Sequence, residues 1–470
     1  MTARPDRAGG PSARRGGGAV SPARRVALEV LTAVRERDAY ANLLLPALLT
    51  REGVSGAEAG FATELAYGAL RRLGRYDAIV AAAAGRPVER IDPPLLDVLR
   101  LGAHQLLATR TAPHAAVHQA VEQARAVGGR GAAGFVNAVL RRVGETDDHG
   151  WTERLAAATP DPVERRAIAA AHPAWVVGEL EAALAAMTPD ARNGLDALLE
   201  VDNAAPPVGL AALPGLADRE DLDLPPHPLS PIGVELPGGD PAALQPVRRG
   251  VVRVQDPGSQ LAALALTRAR PVAAGERWLD LCAGPGGKAA VLAADAALGG
   301  ASLLANELVP ARARLAERAL AAVPGHHTVE VGDGTRFADG GRRFDRVLLD
   351  APCTGLGALR RRPEARWRKS PADVPALAAL QRDLLDAAIA ALAPGGLLAY
   401  VTCSPVTAET ERVVAGALEA HRDLVALDTA EVLDGITGGR LDAARRGTAV
   451  QLWPHLHGTD AMFVQLLTSA

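Results

Sequence analysis

Three stretches carry side chains able to do chemistry. Leu349-Asp350-Ala351-Pro352-Cys353-Thr354-Gly355 places a carboxylate three residues before a thiol in a Gly/Pro turn. Tyr400-Val401-Thr402-Cys403-Ser404-Pro405 presents a second thiol after an apolar run. Leu279-Asp280-Leu281-Cys282-Ala283-Gly284-Pro285-Gly286-Gly287-Lys288 runs from an apolar segment through a glycine-rich turn into an alanine-rich helix. That order predicts a loop whose backbone N–H groups face a ligand at a helix N-terminus. The loop is not G-x-G-x-x-G, and Pro285 removes one donor, which disfavours a pyrophosphate cradle and an NAD-type oxidoreductase. It suits a ligand needing fewer amide contacts, such as the methionine end of S-adenosylmethionine.

Two further acids fall at predicted strand ends. Glu307 is placed to accept hydrogen bonds from a ribose hydroxyl pair, and Asp333, in Gly332-Asp333-Gly334, from an adenine amine. Lys288, heading its helix, can lower a thiol pKa or orient the donor. Two thiols and an acid beside a methyl donor suggest one reaction. Cytosine C5 is too weak a nucleophile to take a methyl group directly, but a thiolate adding at C6 makes C5 enamine-like. A carboxyl group at N3, here Asp350, stabilises the adduct; a base then removes the C5 proton and the thiol leaves. Cys353 and Cys403 are both candidates, and the residues alone do not choose between them. Cys282, beside the glycine loop, reads as a small buried hydrophobe lining the donor site. Arg360-Arg361-Arg362-Pro363-Glu364-Ala365-Arg366-Trp367-Arg368-Lys369 sets six basic residues around one tryptophan, a composition suited to RNA phosphates and an unpaired base. The target base must be flipped or single-stranded for a thiol to reach C6.

These side chains need a scaffold that brings distant strand ends together. After Lys288, strands are predicted at 301–305, 328–331, 344–349, 397–402, 450–453 and 462–467. Helices are predicted between them at 289–297, 310–322, 375–392 and 408–420. Such alternation predicts a doubly wound α/β sheet with ligands beyond the strands' carboxyl ends. Cys282, Glu307, Asp333, Asp350 and Cys403 all fall at that edge.

The 470 residues predict two or three domains. Residues 1–20, rich in Gly, Pro and Arg, read as a disordered tail. From Ser21 to Val143 the pattern is helical, a bundle of five to seven helices. The arginines at 71, 72, 75, 141 and 142 could contact phosphate, and His104, His114 and His118 read as surface or capping histidines. Asp147-Asp148-His149-Gly150 reads as a break, followed by helices and a Pro/Gly-rich stretch over 201–250, with a strand candidate at 208–213 in a small α+β insert. A helical linker with that insert is expected over 146–250 and the catalytic domain over 251–470. Net charge is −3, so any nucleic-acid surface must be local. The three cysteines fit neither a disulfide framework nor metal-ligand spacing, pointing to a reducing cytoplasm and no metal. No run of ~18 apolar residues suggests a transmembrane helix. A cytoplasmic, monomeric protein is expected.

Two resemblances add to this reading. Leu95 to Leu107, Ala116 to Glu122 and Phe135 to Arg142 are similar to the NusB family of helical RNA-binding domains. Asp280 to Lys288, Asp350 to Gly355, Thr402-Cys403-Ser404 and the tail Leu452-Trp453-Pro454-His455 with Gly458 to Phe463 resemble the Sun/Fmu-type RNA (cytosine-5)-methyltransferases. The two halves together resemble that family's bacterial small-subunit rRNA enzymes. The resemblance implies an all-α NusB-like bundle plus a Rossmann-like S-adenosylmethionine-dependent methyltransferase domain. It implies rRNA as partner, Cys403 as nucleophile, Cys353 assisting release, and Asp350 on the cytosine ring. Glu307 and Asp333 would hold the donor's ribose and adenine, with the loop from Cys282 to Lys288 lining its site. The chain departs from the family's loop, which has Ala at Gly284 and Thr at Ala289, and residues 201–250 match it poorly. The remaining alternatives are action on tRNA or another RNA, and an inactive RNA-binding or antitermination factor.

Overall fold

The computed structural model describes residues 20–469. The disordered tail expected over residues 1–20 lies outside them, apart from Val20. The chain divides into two compact units with the boundary between Ala158 and Thr159.

The first unit is helical: Pro22–Arg37, Ala41–Arg51, Gly56–Arg71, Leu73–Ala84, Pro93–Ala108, Pro113–Val143 and Asp148–Ala158. Pro22, Pro93 and Pro113 open their helices, where the missing N–H costs nothing. Val26, Val30, Leu31 and Val34 pack on Leu65, Ala66 and Leu70. Gly102 permits close packing, since a Cβ there would lie 2.5 Å from Leu140 Cδ1. The long sixth helix bends at Gly129, whose φ of 77° leaves the helical region.

Three expectations are corrected here. The break read at 147–150 lies earlier, because the Asp147 carboxylate accepts from Gly150 N and starts a helix at Asp148. Buried Trp151 anchors that helix, donating from Nε1 to Val143 O at 2.9 Å. His104 is not a surface side chain; it is buried, with Nδ1 2.9 Å from the Tyr76 hydroxyl. Arg71 and Arg75 are buried rather than open to phosphate, and Arg75 donates to Asp148 and Thr152.

The second unit begins with helices Pro162–Ala169, Ala174–Ala185 and Leu195–Asp202. A small antiparallel sheet follows, β1 (Val208–Ala212), β2 (Gly233–Leu236) and β3 (Val252–Val254), in the order β2-β1-β3. Helix Pro257–Arg268 then leads into the large sheet. Its strands are β4 (Arg277–Asp280), β5 (Ser302–Glu307), β6 (His326–Val331), β7 (Phe344–Asp350), β8 (Leu392–Thr402), β9 (Leu424–Ala426), β10 (Arg445–Arg446), β11 (Ala449–Gln451) and β12 (Phe463–Ser469). The order is β6-β5-β4-β7-β8-β12-β11-β10, with β9 also on β12. β4 to β8 run parallel and β12 is antiparallel to β8.

From β4 the chain winds one way through β5 and β6, then returns and winds the other way through β7 and β8. The carboxyl end of β4 is therefore the crevice where an α/β sheet binds ligands. Alternation along each strand supplies two cores. Trp278, Leu303, Leu348, Ala399 and Val401 face one side with helices Pro257–Arg268 and Gly287–Gly299. Leu279, Leu304, Val347, Leu349 and Leu398 face the other with helix Asp373–Ala390.

Candidate active site

The glycine loop leaves β4 at Asp280 and enters helix Gly287–Gly299. Gly284 and Gly286 have φ of 56° and 86°, where a side chain is strained. A Cβ on Gly286 would also lie 2.7 Å from Ala316 Cα. The loop can therefore lie against helix Pro310–Leu320 only with glycine there. Glu307, ending β5, holds the loop: its two carboxylate oxygens accept from Gly284 N and Val309 N, each at 2.9 Å. A carboxylate has about four lone-pair sites, so acceptor capacity remains for a ligand. Asp333 follows β6 and is exposed. It caps the turn Gly334–Gly340, accepting from Thr335 N and Oγ1, and these bonds hold its carboxyl below the usual range. With Asn306, Gly332 and Phe337 it lines a cleft of about 430 Å³.

Lys288 is buried and its Nζ meets Asp350 Oδ2 at 2.7 Å. Burial pulls the ammonium pKa down, but Asp350, Cys403 and Asp280 outweigh it and hold the pKa above the ordinary lysine value. Sequence reading gave Asp280 no role. It is buried, and no side chain donates a hydrogen bond to either of its oxygens. Burial, then the Asp350 charge, pushes its pKa up to about 8. The available signal was an acid closing an apolar strand directly before a glycine turn. Cys282 packs beside the loop, and burial with the neighbouring acids pushes its thiol up, so it is a poor nucleophile.

β7 and β8 are adjacent and parallel, with Asp350 opposite Val401. The turns beyond them therefore meet, and Cys353 Sγ lies 3.4 Å from Cys403 Sγ. Gly357 makes this possible, since a Cβ there would sit 2.1 Å from Ala461 O. The two thiols are unequal. Either sulfur can be the donor in this contact. The bond to Cys353 lowers the Cys403 pKa, and Arg362 and Lys288 act in the same direction against burial and Asp350. The same hydrogen bond, then burial, raises Cys353.

The basic segment is only partly what its composition suggested. Arg366 is fully buried and donates to Ala171 O, Asp202 O and Asn203 Oδ1. Arg360 is buried and donates to Gly458 O. Arg361 pairs with Asp460 and Asp256. Arg360 and Arg366 are thus corrected from RNA ligands to internal ties, and the charge of Arg361 is compensated. Arg362, Trp367, Arg368 and Lys369 remain half-buried at the surface. Among the described residues no cluster of His, Cys, Asp or Glu could hold a metal, and no helix is long and apolar enough to cross a membrane.

Comparison with known proteins gives the family of the chain. The 16S rRNA methyltransferase RsmB/F family matches residues 269–468, and the NusB family matches residues 21–145. A Mycobacterium tuberculosis (strain ATCC 25618 / H37Rv) protein described as a methyltransferase is 50% identical over 455 residues, covering 95% of this chain and 96% of its own length. Ribosomal RNA small subunit methyltransferase B of Escherichia coli O6:K15:H31 is 30% identical over 418 residues, covering 86% of this chain and 92% of that protein. The solved structure of PH0851 shares the fold, with a TM-score of 0.78 and 20% identity over 96% of this chain and 99% of that one. The glycine loop at the switch point and the buried Asp280 carboxyl beside it, to which no side chain donates, fit a cationic nucleoside donor, S-adenosylmethionine. Both halves of the chain and its near full-length relatives agree: the chain belongs to the RsmB/F family of S-adenosylmethionine-dependent rRNA methyltransferases and carries a NusB-family domain at its N-terminal end.

Proposed function

We propose that the chain methylates C5 of a cytosine in 16S rRNA through a covalent Cys403–C6 adduct. The observation that carries this is the pair of thiols 3.4 Å apart, beside the Lys288–Asp350 pair at the neighbouring strand end. Cys403 is assigned as the nucleophile on the family likeness, and the positive charges of Arg362 and Lys288 near it act in the same sense. Its sulfur bonds to C6, and the C5=C6 electron pair moves to C5. With a proton passed from the Lys288 ammonium 2.7 Å away, the Asp350 carboxyl donates a hydrogen bond to N3 and so stabilises the negative charge the ring acquires. The donor, when bound, supplies an electrophilic methyl group on a sulfonium. Its ribose is assigned to Glu307, its adenine to Asp333 and its cationic methionine end to Asp280, with Cys282 to Gly287 lining the site. A base then takes the C5 proton, that bond pair re-forms C5=C6, and the S–C6 bond breaks to return the Cys403 thiolate. Cys353, at the leaving sulfur, assists this release.

We assign RNA positioning to residues 21–145 and to Arg362, Trp367, Arg368 and Lys369. Catalysis is assigned to residues 251–470, with 146–250 joining the two, and the reaction to the cytoplasm, where thiols stay reduced. The test is single-turnover methylation of rRNA by two variants. Cys403→Ala is expected to transfer no methyl group, and Cys353→Ala to accumulate a denaturation-resistant protein–RNA adduct. Full turnover by Cys403→Ala with an inactive Cys353→Ala protein would exchange the two roles.

A further inference from the structure

The two thiol turns are joined by a residue the reaction above does not use. Glu409 lies in the short turn Thr407–Glu409 after the Cys403 strand end and is fully buried. Its Oε1 accepts from Thr354 N at 2.7 Å and from Gln381 Nε2 at 3.2 Å. Its Oε2 accepts from Thr354 Oγ1 and from Ser404 Oγ, each at 2.6 Å. Thr354 directly follows Cys353, and Ser404 directly follows Cys403. One carboxylate therefore bonds the neighbour of each thiol. Gln381 Nε2 also donates to Pro352 O at 2.8 Å, bracing the other side of Cys353. The Tyr400 hydroxyl donates to Glu409 O at 2.7 Å, fixing this turn to β8.

All four donors to the carboxylate are neutral groups. A buried charge without a cation is costly to desolvate, and a neutral amide could brace two turns with less penalty. The charge therefore asks for a use beyond bracing.

We propose that Glu409 is a positioning residue that locks the two cysteine turns together and assigns the thiols their different tasks. The proposal rests on the covalent reading above. The geometric part fixes the 3.4 Å sulfur separation, so that the departing Cys403 always has Cys353 beside it. The electrostatic part follows from sign. The hydrogen bond to Cys403 and burial raise the Cys353 pKa most, and the negative charge of Glu409 resists ionisation there in the same sense. Cys353 then keeps its proton and donates it to Cys403, which holds the negative charge.

The test uses the full chain with Glu409→Gln and Ser404→Ala, and begins without RNA. Iodoacetamide labelling between pH 6 and 10, read by mass spectrometry of the two cysteine peptides, reports each thiol separately. Wild type is expected to label first at Cys403. In Glu409→Gln, loss of the charge is expected to bring Cys353 labelling about one pH unit lower, so the Cys403:Cys353 ratio at neutral pH falls about tenfold. The same variant is expected to lose kcat while keeping KM for the donor, whose loop it does not touch. Ser404→Ala removes one strut and keeps the charge, so kcat falls while the labelling order stays. Unchanged labelling and kcat in Glu409→Gln would overturn the proposal, as would an unchanged kcat in folded Ser404→Ala. A wild-type protein that methylates no cytosine while Glu409→Gln still shifts the labelling would overturn the covalent reading instead and leave the Glu409 assignment standing.

Discussion

A lysine at the head of one helix and an acid at the end of another strand form the pair on which the site's charge balance turns. Lys288 serves Asp350 by direct contact and Cys403 by its field. Lys288→Met is therefore expected to move the pH at which Cys403 alkylates upward and to cut turnover by at least about tenfold, a change of ~1.4 kcal/mol in the barrier. Alkylation rate against pH checks the first part, and an unshifted profile would contradict it. Asp280 gives a stability test. In donor-free protein its carboxyl titrates at about 8, raised by burial and then by Asp350. Between the unfolded value of about 4 and that value, the folded chain binds one more proton than the unfolded chain. This group alone therefore makes stability fall as pH rises through that window. Asp280→Asn is expected to flatten the melting temperature between pH 5 and 8 relative to wild type, and equal slopes would show that Asp280 is not the group responsible.

At the scale of elements, the parallel strands do most of the positioning. Their apolar runs were legible because alternating burial on both faces leaves few polar interruptions, and β5 to β8, β11 and β12 fall close to their predicted segments. Acids and thiols at strand ends were legible because the carboxyl ends of the parallel strands all open on one edge, so residues that end or soon follow them lie on the ligand side. The basic segment was not legible, because composition cannot show where a guanidinium points. Arg366 and Trp367 are neighbours in sequence, yet the first is buried among carbonyls from residues 171 and 202 while the second is half-exposed. Those partners lie more than 160 residues away in sequence. Asp280 was not legible as a site residue because its distinction is burial without a side-chain partner, a property of packing. Arg366→Ala is expected to destabilise the second unit by about 3 kcal/mol, since it strands buried acceptors. Denaturant unfolding reads that loss, and no change in the unfolding midpoint would refute the internal tie. Arg362→Ala and Lys369→Ala are instead expected to leave stability within ~0.5 kcal/mol. Each should reduce the salt dependence of RNA binding by about one unit of slope.

The whole molecule joins a helical unit with a NusB-family match to an α/β unit that carries every reactive group proposed here. A net charge of −3 means that RNA is held by local cations rather than by a general field. The proposed substrate is thus set by two surfaces and the reaction by one sheet edge. The most direct test of that account is bisulfite sequencing of 16S rRNA from cells lacking this gene, rescued with wild type or with Cys403→Ala. The account predicts one 5-methylcytosine lost on deletion, restored by wild type and not by Cys403→Ala. A 16S rRNA methylation pattern unchanged by deletion, or restored in full by Cys403→Ala, would contradict it.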